Sequence, residues 1–126
     1  MSNDTLIHLV AAEAAERDSL SRYLTRHDYN VEVFASLDAS QAALPDKTPT
    51  LIVLAGSSIP SPDICKFGAA VEQACGAPII ALLTTLQTSI VSELAESENL
   101  WTAEYPISLR DIRASIVEAF EEINAG

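Results

Sequence analysis

Two five-residue stretches, Leu51-Ile52-Val53-Leu54-Ala55 and Ile79-Ile80-Ala81-Leu82-Leu83, contain no polar side chain. Successive side chains of a β-strand point to opposite faces, so a strand apolar at every position has to be covered on both. That requirement is met at the centre of a parallel sheet with helices above and below it.

The rest of the chain supplies the cover. Leu6 to Val10 is an apolar run broken by His8, and the stretch after it carries Glu13, Glu16, Arg17, Asp18, Arg22 and Arg26, with Leu20, Tyr23 and Leu24 at helical spacing. This predicts a strand and then an amphipathic helix. Val31-Glu32-Val33-Phe34-Ala35 alternates like a second strand, and Asp38 is placed to cap a short helix through Ala42, Ala43 and Leu44 that stops at Pro45. After Leu51 to Ala55 comes a loop, Gly56-Ser57-Ser58-Ile59-Pro60, and then a helix with Ser61 as N-cap and Pro62 as first helical residue, ending near Ala74. Gly76 and Pro78 punctuate the chain before Ile79, and a polar turn at Thr84-Thr85 leads into a helix around Ile90, Val91, Leu94 and Ala95. Leu100-Trp101-Thr102-Ala103-Glu104-Tyr105 is a fifth strand, mixed enough in polarity for an edge. Ser108-Leu109-Arg110-Asp111 has the form of a capping box, with Asp in place of Glu or Gln. Leu109, Ile112, Ile116, Phe120 and Ile123 then make one apolar stripe on the last helix. Five strands alternating with five helices, joined by right-handed crossovers, form an α/β domain with one doubly wound, five-stranded parallel sheet of flavodoxin-like type.

Composition bounds the function. The 126 residues, 48% hydrophobic, suffice for one compact domain spanning 1–126 and not for two. Lys+Arg 7 against Asp+Glu 18 gives a net charge of -11, the wrong sign for holding nucleic acid or anionic lipid; basic partners or none are expected. No segment approaches the ~20 apolar residues of a membrane span. Met1-Ser2-Asn3-Asp4 lacks the basic start of a signal peptide, so the expected location is the cytoplasm. Cys65 and Cys75 fall within one predicted helix, ten positions or about 15 Å apart, too far for a disulfide, and read as reduced, buried small hydrophobes.

In a doubly wound sheet the functional crevice lies beyond the carboxyl ends of the strands. The residues there are Ala11-Ala12-Glu13, Ala55-Gly56-Ser57-Ser58, Leu83-Thr84-Thr85 and Tyr105-Pro106. A dinucleotide fingerprint would place three glycines after the first strand, where this chain has Ala11, Ala12, Ala14 and Ala15.

At these positions, from Thr5 to about Phe120, the chain resembles the receiver domain of response regulators, the CheY-like chemotaxis regulators and FixJ-like transcription regulators among them. The resemblance is carried by Leu6 to Leu24 with Arg17 in place, by Tyr29-Asn30-Val31-Glu32-Val33-Phe34, and by the apolar third strand whose loop ends at Pro60. Pro78-Ile79-Ile80 and the proline at Pro106 complete it. Receivers are phosphorylated on an aspartate after the third strand. Mg²⁺ is held there by that residue and an acidic pair after the first strand, a lysine neutralises the phosphoryl oxygens, and a Ser/Thr hydroxyl bonds one of them. Carried over residue by residue, the acidic pair falls on Ala11 and Ala12. The acceptor falls on Ala55, or on Gly56 if Pro60 is the anchor. The lysine falls on Tyr105, the hydroxyl on Leu83 or Thr84, and the switch aromatic on Thr102. The resemblance therefore implies a pseudo-receiver: the fold without aspartyl phosphorylation, not an enzyme, with no cofactor and no Mg²⁺. Tyr105 is expected to stand where a phosphoryl group would sit, closing the pocket, and the Tyr105-Pro106 bond is a candidate for the cis isomer.

Other candidates have plainer readings. Glu13 and Asp63 suit the first turns of helices, Ser57 and Ser58 suit a turn, His8 suits a satisfied, partly buried imidazole, and His27 a helix end. Receivers signal through the fourth helix, fifth strand and fifth helix, which makes Val91, Leu94, Trp101, Tyr105, Arg110 and Arg113 the candidate interaction face. Two functions follow. One is a phosphorylation-independent signalling module of two-component or phosphorelay type, working through a protein partner or a homodimer, alone or as the N-terminal domain of a larger regulator. The alternative is a sensor of a nucleotide second messenger, against which the shortage of Lys and Arg near the crevice argues.

Overall fold

The computed structural model describes residues 6–104 and 108–125. Its elements alternate throughout: β1 (Leu6–Ala11), α1 (Ala14–Arg26), β2 (Asn30–Phe34), α2 (Leu37–Ala43), β3 (Leu51–Ala55), α3 (Ser61–Ala74), β4 (Ile79–Leu83), α4 (Thr85–Leu94), β5 (Leu100–Glu104) and α5 (Leu109–Ala125). The strands are parallel in the order β2-β1-β3-β4-β5. This is the flavodoxin-like order, whose direction reverses between β1 and β3 and leaves a crevice at their carboxyl ends.

The two apolar runs are β3 and β4, and every residue in both is buried. Alternation divides their side chains between two cores. Leu51, Val53, Ala55, Ile80 and Leu82 join Ile7, Leu9 and Ala11 on the side packed by Leu20 and Leu24 of α1 and Ile112 and Ile116 of α5. Ile52, Leu54, Ile79, Ala81 and Leu83 meet Ile64, Phe67 and Val71 of α3 and Val91 of α4 on the other. β5 is an edge strand, as its mixed polarity implies, and β2 is the other edge.

Several boundaries differ from expectation for local reasons. α2 is capped by Ser36, whose hydroxyl accepts from the Ala39 amide at 3.1 Å, and Asp38 lies inside the first turn. α3 begins at Ser61 with Pro60 in the cap position, because the Asp63 and Ile64 amides both donate to the Pro60 carbonyl. The predicted cap at Ser108 is present, accepting from the Asp111 amide. The cysteines are free but not buried: Cys65 is half-buried on α3, and Cys75, which caps the helix at its end, is exposed. Gly76 follows with φ +71°, the left-handed conformation that ends helices at least cost.

His8 is more deeply placed than a partly buried imidazole. It is 0% exposed, makes a long 3.4 Å hydrogen bond between Nδ1 and Ser40 Oγ, and packs its ring 4.7 Å from Phe34, while Nε2 reaches no partner. Burial holds its pKa below the ordinary histidine value, against smaller opposing pulls from the Lys47 backbone and the Glu32 carboxylate.

Candidate functional site

The crevice floor is made by strand ends. Ala11 closes β1 and pairs with Ala55 at the end of β3; both methyls are buried in the core toward α1 and α5. Ala12 is exposed above them, and Glu13 occupies the N-cap of α1, its carbonyl accepting from the Arg17 amide while its side chain makes no capping bond. Arg17 reaches back from α1, its Nη1 donating to the Ala11 carbonyl at 2.9 Å and to that of Ala12 at 3.4 Å. A guanidinium thus orders the first loop through its backbone.

Gly56 prolongs the β3 ladder by one bond, its amide donating to the Leu82 carbonyl at 3.0 Å. A Cβ at this position would lie 2.8 Å from Leu83 Cδ2 and 3.1 Å from Ile64 Cδ1. The volume a side chain would take at 56 is already filled by Leu83. Of the two positions onto which the acceptor maps, Ala55 is sealed in the core at 1% exposure and Gly56 is closed by its neighbours.

The fourth corner joins Thr84 to Gln87, a residue outside the set predicted from sequence. Thr84 is the N-cap of α4: its hydroxyl accepts from the Gln87 amide at 3.2 Å, and Gln87 Oε1 accepts from the Thr84 amide at 3.0 Å. The same Gln87 side chain turns its Nε2 across the crevice and donates to the carbonyls of Gly56 at 2.6 Å and Ile59 at 2.9 Å. One amide therefore starts α4 and ties it to the β3–α3 loop. On the far side of that turn the Thr85 hydroxyl donates to Glu104 at 3.2 Å, joining α4 to the end of β5. The signal for the cap was present in the sequence as Thr84-x-x-Gln87, the spacing of a capping box; nothing local announced the bonds to Gly56 and Ile59.

Tyr105 and Pro106, the expected lid and its cis-bond candidate, lie outside the described residues. Thr102 is exposed on β5, and Ser57 and Ser58 are exposed turn residues. Asp63 is in the first turn of α3 and, with Ala12, Asp38, Ile59 and Lys66, lines a groove of about 610 Å³ between α2 and α3. His27 caps α1 and packs its ring, tilted by 60°, 4.6 Å from that of Tyr23.

The candidate interaction face is not exposed at every position. Val91 is 1% exposed and belongs to the core, so it makes no outside contact. Leu94 is 49% exposed but sits on the α3 side of α4, where it lines a groove with Pro62, Cys65 and Ala69. Trp101 is half-buried against the α1/α5 core, whereas Arg110 and Arg113 are exposed on α5.

The donor set does not suit a divalent cation. Ala11, Ala12, Ala55 and Gly56 bring no carboxylate to the crevice, and hard cations require oxygen ligands. Among the described residues no group of three or more His, Cys, Asp or Glu side chains is placed to hold a metal ion. Nor is any helix there long and apolar enough to cross a membrane.

No protein-family model and no curated protein matches the sequence. Solved structures do match the fold. A CheY-like response regulator receiver domain protein from Methanospirillum hungatei JF-1 superposes with a TM-score of 0.77 at 21% identity, covering 97% of this chain and 98% of the other. The signal receiver domain of an HD domain-containing protein from Pseudomonas fluorescens Pf-5 gives a TM-score of 0.82 at 14% identity over 97% and 98%. The beryllofluoride-activated NtrC4 receiver domain dimer gives 0.74 at 19% identity over 93% and 97%. With five parallel strands in flavodoxin-like order and these neighbours over nearly its whole length, the chain has the fold of a response regulator receiver domain.

Proposed function

We propose that this protein is a phosphorylation-independent receiver-like module that signals by protein contact, by itself or as the N-terminal domain of a larger regulator, and that it is not an enzyme. The observation that carries the reading is Gly56 under Leu83. An acceptor aspartate needs space at the end of β3, and a Cβ at 56 would approach Leu83 Cδ2 to 2.8 Å. The rest of the crevice agrees. By resemblance the acidic pair maps onto Ala11 and Ala12 and the lysine onto Tyr105, and the Thr84 hydroxyl is engaged in capping α4. A ligand shifts a conformational equilibrium only by its differential affinity for the two states, and positions 11, 12, 55 and 56, which bring no carboxylate, offer Mg²⁺ almost none.

The nucleotide-sensing alternative finds little support. The groove beside the crevice sets two carboxylates, Asp38 and Asp63, against the single ammonium of Lys66, and repels phosphate. Self-association is the other contact-driven arrangement, and one of the structural neighbours is a receiver dimer.

The test is an amide NMR titration with Mg²⁺ and beryllofluoride. No clustered response is expected; shifts centred on Ala11, Ala55, Gly56 and Thr84 would overturn the reading. Solution mass against the 13.5 kDa of one chain separates a dimer from a monomer that awaits a different partner.

A further inference from the structure

Exposed apolar surface is concentrated on one helix. Leu86 and Leu94 of α4 are 71% and 49% exposed, ahead of Val33 and Val117 at 39% each among the described residues. Leu86, half-buried Ile90 and Leu94 are spaced four apart and form one stripe along α4. Its Leu94 end faces α3. Leu94 lines a groove of about 280 Å³ with Pro62, Cys65 and Ala69, whereas Thr85, on the opposite flank of α4, bonds Glu104 of β5. The groove is also set in position. Gln87, adjacent to Leu86, holds the first turn of α4 to the β3–α3 loop through the Gly56 and Ile59 carbonyls.

We propose that the α3–α4 groove docks an amphipathic helix of a protein partner, with the partner's aliphatic side chains on the Leu86-Ile90-Leu94 stripe and its Lys or Arg side chains over the rim. The rim selects that occupant. Glu96 lines the groove with Lys66, exposed Glu93 precedes Leu94 on α4, and exposed Glu72 of α3 accepts from the Glu98 amide just past α4, so acids outnumber the one ammonium at this end. A second copy related by a two-fold axis would set this excess of acid against itself, in a chain whose net charge is already -11. A basic helix is drawn in by the same field, and apolar residues at i, i+3/i+4 and i+7 fit a stripe of this length. The proposal rests on the reading of the protein as a contact-driven module and names the face that makes the contact.

Three peptides of about 18 residues, roughly five helical turns, test it on the whole chain. One is a Leu/Lys amphipathic helix, one has Glu in place of Lys, and one keeps Lys but has Ser in place of Leu. With the Leu/Lys peptide, amide shifts should concentrate at residues 62–69 and 86–96, and modification of half-buried Cys65 by a thiol reagent should slow. Exposed Cys75 keeps its rate as an internal control. The other two peptides should do neither. The L86S/L94S double variant, changed only at exposed positions, should melt like the parent and bind the Leu/Lys peptide at least about tenfold more weakly. Shifts centred on another face, equal binding of the Ser-containing or Glu-containing peptide, or undiminished binding to the double variant would each overturn the proposal. A response to Mg²⁺ and beryllofluoride with docking intact would instead sink phosphorylation independence and leave the groove standing.

Discussion

Closing position 56 with a leucine methyl has an energetic signature that can be measured without a partner. A Cβ added at 56 begins 2.8 Å from Leu83 Cδ2 and 3.1 Å from Ile64 Cδ1, against about 3.5–4.0 Å for relaxed carbon contact. Leu83 and Ile64 are both 0% exposed, so neither methyl has open space to retreat into. Overpacking of this kind costs about 1–3 kcal/mol, and the smaller unfolded-state entropy of alanine offsets about 0.4–1 kcal/mol of it, since Gly56 does not have a positive φ. Gly56→Ala alone should therefore destabilise by about 1–2 kcal/mol. Leu83→Ala alone removes a fully buried side chain and should cost about 2–5 kcal/mol. In the double variant the added Cβ occupies part of the vacated space, so the clash disappears and the cavity shrinks. The combined loss should fall short of the sum by about 1–3 kcal/mol. Urea unfolding of the four proteins under identical conditions closes the cycle. Additivity within about 0.5 kcal/mol would refute the claim that Leu83 is what excludes a side chain from position 56.

Two further predictions follow from the polar contacts. Gln87→Ala deletes two side-chain bonds to backbone carbonyls, about 1 kcal/mol each; for a chain of 126 residues this lowers the melting temperature by about 8 °C and speeds amide exchange in residues 57–59. A change under about 2 °C with unaltered exchange would mean the latch holds nothing. His8 has a folded-state pKa depressed by burial, so its contribution to stability is fully present above the unfolded value of 6.5 and is lost as pH falls from there toward the folded value. Between about pH 7.5 and about pH 5, wild type should lose more stability than His8→Gln, and parallel curves would contradict this.

The parts of this architecture that were legible in the sequence are those set by local pattern. β3 and β4 announce double cover by having no polar position, and Leu109, Ile112 and Ile116 of the α5 stripe and the mixed polarity of β5 place those elements correctly, the side chains of Phe120 and Ile123 lying outside the described residues. Caps were less legible because neighbouring residues compete for one role: Ser36 and Asp38 are both capping types, and the backbone geometry at Phe34 to Leu37 decides for Ser36. Contacts between distant segments were not legible at all. Gln87 is thirty-one positions from Gly56 and looks like any polar helix residue until the sheet brings β3 and β4 together. The orientation of α4 belongs to the same class. Spacing alone groups Leu86, Ile90 and Leu94, and only packing decides that Leu94 faces Cys65 while Val91 goes inside.

The strand order also exposes this protein to a hazard of its own. β2 and β5 end the sheet, and an end strand offers its outer row of amides and carbonyls as a template on which another chain could grow. Val33 at 39% exposure and half-buried Trp101 sharpen that hazard at either end. Both strands are only five residues long. Each also carries an acid next to its apolar residues: Glu32, ion-paired with Lys47 at 2.7 Å, and Glu104, held by Thr85. Short strands and flanking charge keep such edges from recruiting one another. The acidity of the chain thus also protects the molecule from amyloid-like self-templating when it is crowded or partly unfolded.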